Sequence, residues 1–228
     1  MSETSAYNHP FTKLRLAVVL FALIVAQVMT TLGAQFQQPW FFWVAVLVTE
    51  GTIIAYAWIK NDTLFKRLFL YGVIFGTIEL WSDAYFILLG AIEYKHLGLF
   101  RILQSPDYMA LAWTNYCVIF GYLGLLLDHW KRNLWLIVIG ALVLGVLIPP
   151  YNESMAYKAG AWEYLGSPSW QHTPYWIWVL FPIIIVGIAI PVVLLYRRKA
   201  STLEWVGGAA LGAIWLLITS QIVYRLLG

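Results

Sequence analysis

Apolar residues in this chain run in long blocks, and polar residues are confined to the short intervals between them. Windows long enough to cross a hydrocarbon core of about 30 Å fall at roughly 16–34, 40–59, 66–90, 108–127, 134–150, 175–196 and 203–226. Seven such windows predict an all-α, polytopic integral membrane protein with seven transmembrane helices. Pro182 and Pro191 lie inside the sixth window, where neighbouring helices can satisfy the carbonyls that proline frees. The double proline Pro149–Pro150 ends the fifth window and predicts a break there, with an interfacial or re-entrant segment after it.

Basic residues sort the connections. Lys13, Arg15, Lys60, Lys66, Arg67, Lys131, Arg132, Arg197, Arg198 and Lys199 fall on one side of the seven-span arrangement, and Lys95, Arg101, Lys158 and Arg225 on the other. This bias places the N-terminus in the cytoplasm and the C-terminus outside. Residues 1–14 then form a short cytoplasmic tail, and the two longest connections, 91–107 and 151–174, become outer loops rich in Trp and Tyr. No linker or internal repeat stands out, so residues 1–228 read as one transmembrane domain.

Composition agrees with the pattern: 61% of residues are hydrophobic and only 11% charged, which takes the chain out of the soluble globular range. The net charge of +3 is dispersed between apolar runs and forms no basic face for nucleic acid. A single cysteine, Cys117, excludes an intramolecular disulfide. The four histidines, His9, His96, His129 and His172, stand in no HxxxH or HxxE spacing, so no metal site and no other cofactor is expected. No lysine in the last window is available to carry a Schiff base. The lipid bilayer is the one partner the composition names; the oligomeric state is left open.

Chemistry is suggested by carboxylates inside apolar windows. In FGTIELWSDAYF, Glu79 and Asp83 are four residues apart, hence on one helical face and about 6 Å apart along the axis. An ionised carboxylate at the bilayer centre costs about 2.5–3.5 kcal/mol, so such groups face a bundle interior, carry a proton or find a partner. Glu50 in the second window, Glu153 after the double proline and Asn115 in the fourth window join them, with Trp81, Trp113 and Trp162 close by in sequence. Each also has a structural reading: Glu50 beside Gly51 as a helix-contact residue, Glu153 as a helix cap, the tryptophans as an interfacial belt.

A buried carboxyl that keeps its proton is a general acid. Protonating an isoprenoid alkene forms a tertiary carbocation, which aromatic faces stabilise, and water or a second alkene captures it. On this reading Glu79 is the acid, Asp83 holds its proton or a water, and Glu153 is the partner base or water-positioning group. Asn115, Trp113, Trp81, Trp162 and Glu50 complete the pocket around an isoprenoid-like molecule. The rival is a transporter or lipid-binding protein in which the same carboxylates take a proton or cation.

The segments GTIELWSDAYFILLG, SPDYMALAW, ESMAYKAGAWEY and PYWIWVLF resemble, in order, the motifs of bacterial and archaeal membrane carotenoid hydratases of the bisanhydrobacterioruberin-hydratase type. The resemblance covers about residues 72–182 and sets Glu79 at the family's intramembrane Glu, Pro106 to Trp113 at its Pro-to-Trp stretch, Glu153 at its later acid, and Gly160 and Trp162 at its Gly-x-Trp element. It implies carotenoid hydration in a bacterial or archaeal cytoplasmic membrane. Two departures bear on the substrate: AIEYKHLGLF stands where the family has a Gly- and Tyr-rich run, and Ser154 stands where a proline commonly follows the later acid. Size and helix number are also similar to the integral-membrane terpene cyclases.

Overall fold

The computed structural model describes residues 10–95 and 98–228. His9 and His96, and most of the expected N-terminal tail, lie outside the described residues. Among the described residues, seven helices carry the fold: α1 (Lys13–Phe36), α2 (Trp40–Ile59), α3 (Thr63–Leu88), α4 (Met109–Lys131), α5 (Leu134–Ala159), α6 (Tyr175–Arg197) and α7 (Thr202–Leu227). Three small antiparallel pairs are made by β1 (Ile92–Tyr94) with β4 (Trp162–Tyr164), β2 (Arg101–Ile102) with β3 (Ser105–Pro106), and β5 (Ser169–Trp170) with β6 (Thr173–Pro174).

Local chemistry sets the helix ends. Thr12, Asp62 and Asn133 accept from the first-turn N–H groups of α1, α3 and α5, and Ser201 with Glu204 forms a capping box at α7. Among the described residues, six helices are long and apolar enough to cross a membrane, as in an integral membrane protein. The exception, α3, has the length but carries Lys66, Arg67, Glu79 and Asp83, and half its residues are buried because it packs chiefly against α4 and α7. Gly72 and Gly76 make the α3–α4 approach possible: a β-carbon at Gly72 would come within 2.9 Å of the Thr114 backbone, and one at Gly76 would overlap the Ala110 carbonyl. This is the small-xxx-small device of membrane helix pairs.

The expected break at Pro149–Pro150 does not occur. Helix α5 runs through both prolines to Ala159, so residues 151–159 are helix and not loop. Proline at 149 leaves the Gly145 carbonyl without its helical donor and crowds it. Both prolines are buried, and bare Gly145 lets the Pro182 ring of α6 pack directly on the α5 backbone, so neighbouring helices hold the segment straight enough to continue.

The structure also reveals a repeat that is not evident from the chain as a whole. The unit α3-β1-β2-β3-α4 recurs as α5-β4-β5-β6-α6. Gly-Ala-Ile-Glu-Tyr at 90–94 matches Gly-Ala-Trp-Glu-Tyr at 160–164, and both glycines have positive φ, 68° and 70°. The strand register is its own image: Glu93 faces Glu163, Ile92 faces Tyr164 and Tyr94 faces Trp162. Flanking bonds are paired likewise, Lys95 N to Ala161 O at 2.9 Å and Leu165 N to Ala91 O at 3.0 Å. Each unit then makes a two-residue hairpin whose central residues, Leu103–Gln104 or Gln171–His172, both have positive φ. A two-fold axis therefore passes through the β1·β4 ribbon, and α4 and α6 descend from it as equivalents.

Candidate functional site

Beneath the β1·β4 ribbon lies a cavity of about 220 Å³ lined by the repeated units together with α1, α2 and α7. Side chains alternate across a strand, so the ribbon turns Ile92, Tyr94, Trp162 and Tyr164 into the cavity and leaves Glu93 exposed on the other face. Lys95 pairs with Glu163 on that outer face at 2.9 Å.

The cavity gathers Glu79, Asp83, Asn115, Trp113, Glu153 and Trp162. Two of the expected residues stand apart. Trp81 is 60% exposed on the outer side of α3, one position round from Leu80 and Ser82, which point inward. Glu50 is buried, and neither of its carboxylate oxygens has a hydrogen-bond partner among the described residues, yet it does not line the cavity; its neighbour Thr49 does. His172 is exposed at a hairpin tip, stacked 3.7 Å from the Tyr157 ring.

Asp83 and Glu153 are repeat equivalents, each seven residues before the matched glycine. Both carboxylates are gripped from the ribbon. The Tyr94 hydroxyl donates to Asp83 Oδ2 at 2.9 Å, and the Trp162 indole N–H donates to Glu153 Oε2 at 2.6 Å. Tyr164, the equivalent of Tyr94, is a second hydrogen-bonding neighbour of Glu153. Burial, then the Asp83 charge, pushes the Tyr94 phenol well above its usual range, and burial with the Glu153 charge does the same for Tyr164. Both phenols therefore stay protonated donors at neutral pH.

Glu79 is different. It is buried, its Oε2 makes no hydrogen bond among the described residues, and the Trp113 indole N–H lies beside it but outside hydrogen-bond geometry. The repeat puts Pro149 where Glu79 would have a counterpart. On α4, Asn115 donates from Nδ2 to Thr49 Oγ1 at 2.7 Å. Thr49 spends its own proton on the Ala45 carbonyl at 2.8 Å, so it must accept from Asn115, and that fixes the amide with Oδ1 left over. Asn115 Oδ1 is buried and has no hydrogen-bond partner among the described residues.

Residues not singled out from the sequence complete the polar lining. Asn152 donates to the Tyr116 hydroxyl at 3.0 Å, and Ser82 meets Ser220 of α7 at 2.9 Å. Tyr94, Tyr164 and Asn152 were findable through the repeated Gly-Ala-x-Glu-Tyr signature and the matched positions before it; Tyr116 and Ser220 carry no such signal. Among the described residues, no three His, Cys, Asp or Glu side chains are grouped to hold a metal ion.

The family described as a domain of unknown function, DUF6989, matches residues 80–227. The chain belongs to this family. The matched region holds both repeat units apart from most of α3, and includes Asp83, Asn115 and Glu153, while Glu79 immediately precedes it. No curated protein and no solved structure matches the chain.

Proposed function

We propose that this protein is an intramembrane enzyme acting on an isoprenoid or carotenoid alkene, with Glu79 as the general acid. The observation that carries this reading is the contrast among three buried carboxyls in one aromatic cavity: Asp83 and Glu153 each accept a hydrogen bond from a ribbon side chain, whereas Glu79 takes none from the ribbon and its Oε2 has no partner among the described residues. On this reading Glu79 enters the reaction as the neutral acid, with a proton to give. Addition of that proton to a trisubstituted alkene forms a new C–H bond and a tertiary cation, leaving Glu79 as carboxylate. Trp113, Trp162 and Phe86 line the space where the cation forms and offer their ring faces to it. Water then adds with loss of a proton to Glu153 or Asp83, giving a hydratase, or a second alkene closes a ring and the new cation loses a proton to Glu153 or Asp83 to form an alkene, giving a cyclase.

The proposal includes seven spans, with the ribbon end outside and the basic end, where Arg15 meets Asp62 and Arg197 meets Asp128, in the cytoplasm. The bilayer is that of a bacterial or archaeal cell. A second reading, a proton- or cation-coupled transporter, draws support from the two-fold repeat, because internal repeats with an axis along the membrane normal recur in transporters. Against it, the helices that line the cavity run unbroken.

Lipid extracts from bacteria making lycopene and shorter acyclic isoprenoids, with and without the protein, separate the readings. A product heavier by one water establishes the hydratase, and an isomer of unchanged mass the cyclase. Unchanged lipids across the panel overturn the enzyme reading in favour of transport.

A further inference from the structure

The repeat makes the two halves of the cavity directly comparable, and they differ with depth. Near the ribbon the halves match in character: Asp83 with Glu153, and Ser82 with Asn152. At and below the helix starts the same five positions line the cavity in both units, Tyr108 to Tyr116 at the head of α4 answering Trp176 to Ile184 of α6. Deeper down the match in polarity ends. The α3–α4 half presents Glu79 and Asn115, each with a buried oxygen that has no partner among the described residues. The corresponding positions of the α5–α6 half are Pro149 and Ile183, and the α6 side chains facing the cavity at this level are Leu180, Phe181 and Ile184.

A duplicated frame with one polar half and one apolar half orients what it holds. Asn115 Oδ1 can only accept, because Thr49 has fixed the amide, so the group that meets it must be a donor. We infer that the cavity binds an isoprenoid bearing a hydroxyl group, with the hydroxyl on Asn115 Oδ1 in the α3–α4 half and the hydrocarbon tail against Leu180 and Ile184 of α6. This rests on the isoprenoid reading of the cavity and adds to it the functional group and the direction of binding. Asn115 is then the orienting residue, and Leu180 and Ile184 set how long a tail is accepted. Reversal would leave a hydroxyl among aliphatic side chains and the buried amide oxygen unpaired, a penalty that disfavours it roughly tenfold or more.

Photolabelling of the purified protein tests the orientation without turnover. Geranylgeraniol carrying a diazirine at its tail end is irradiated with the protein in detergent, and modified peptides are mapped by mass spectrometry. A matched hydrocarbon probe lacking the hydroxyl is run alongside. The alcohol is expected to label α6 about tenfold over α4, and the hydrocarbon to label both comparably; in Asn115→Leu the alcohol should lose its bias. Comparable labelling of α4 and α6 by the alcohol, preference for α4, absence of labelling, or an equal bias in the hydrocarbon probe overturns the inference. Oriented labelling with unchanged lipids would overturn the enzyme reading alone, and product formation with unoriented labelling would overturn this inference alone.

Discussion

Tyr94 and Trp162 are cross-strand partners in the β1·β4 ribbon, their rings 6.0 Å apart, and each donates a hydrogen bond to a carboxylate on a different helix. One pair of residues thus ties α3 to α5 through Asp83 and Glu153, and closes the cavity over Glu79.

Removing either donor leaves a buried carboxylate short of a hydrogen bond. Bonds to charged groups contribute about 1.5–3 kcal/mol, so Tyr94→Phe and Trp162→Phe should each slow product formation by roughly tenfold or more. The protein's midpoint in detergent melts should fall with it. The double variant should lose less than the sum, because both donors sit in one ribbon. Product quantification and thermal melts of the three variants check this.

Glu93 and Glu163 face each other across the ribbon. Like charges directly opposite destabilise a pair, an effect Lys95 relieves for Glu163. Glu93→Gln should therefore raise the melting midpoint slightly, and Lys95→Gln lower it. The reverse order would show that the outer face of the ribbon is not held by charge.

At the other end of the bundle, the Arg15 guanidinium meets both oxygens of Asp62, at 2.8 and 3.0 Å. Burial alone would raise the Asp62 carboxyl, but its hydrogen bonds and charge contact with Arg15 outweigh this and hold it below the usual range. A depressed folded-state value contributes stability that is full above the unfolded value of about 3.9 and lost as pH falls through the folded value. Stability should drop in that acid window in the wild type and much less so in Asp62→Asn. At neutral pH, Asp62→Ala should lose about 3–5 kcal/mol, since the buried Arg15 guanidinium loses the carboxylate that balances its charge. Melts from pH 7 downward check both.

Helix α3 can hold Glu79 at depth only because Gly76, one turn before it, lies on the Ala110 carbonyl of α4. Gly76→Ala should push the two helices apart, lowering stability by about 1–3 kcal/mol and reducing product formation even where the protein still folds. Unaffected melts and product would contradict the close contact.

How much of this was legible in the chain depends on which physical signal carried it. Seven helices followed from apolar blocks, because a helix that must cross or pack in lipid leaves a continuous stretch of sequence. The continuation of α5 past Ile148 is not legible in the chain because proline's effect depends on what packs beside it, here Pro182 on Gly145. Glu79 and Asp83 came together as the four-residue spacing requires. Trp81 went outward because it is two residues from both, and such neighbours face apart on a helix. Glu50 could not be separated from Thr49 by spacing alone: which of two adjacent residues meets a cavity is set by the rotation of α2. The two-fold repeat is faint in the chain because its strongest trace is five residues, Gly-Ala-x-Glu-Tyr, and its second connection is two residues shorter; the helices keep the same arrangement with unrelated apolar side chains.

The central claim is that Glu79 alone delivers the proton. The most direct test quantifies product in cells expressing the wild type, Glu79→Gln, Asp83→Asn and Glu153→Gln at matched protein levels. Removal of a general acid costs about 10²–10⁴-fold in rate, so Glu79→Gln should abolish detectable product while retaining the wild-type fold, and the other two variants should slow its formation and leave its identity unchanged. Product formation by Glu79→Gln at the wild-type level would contradict the account.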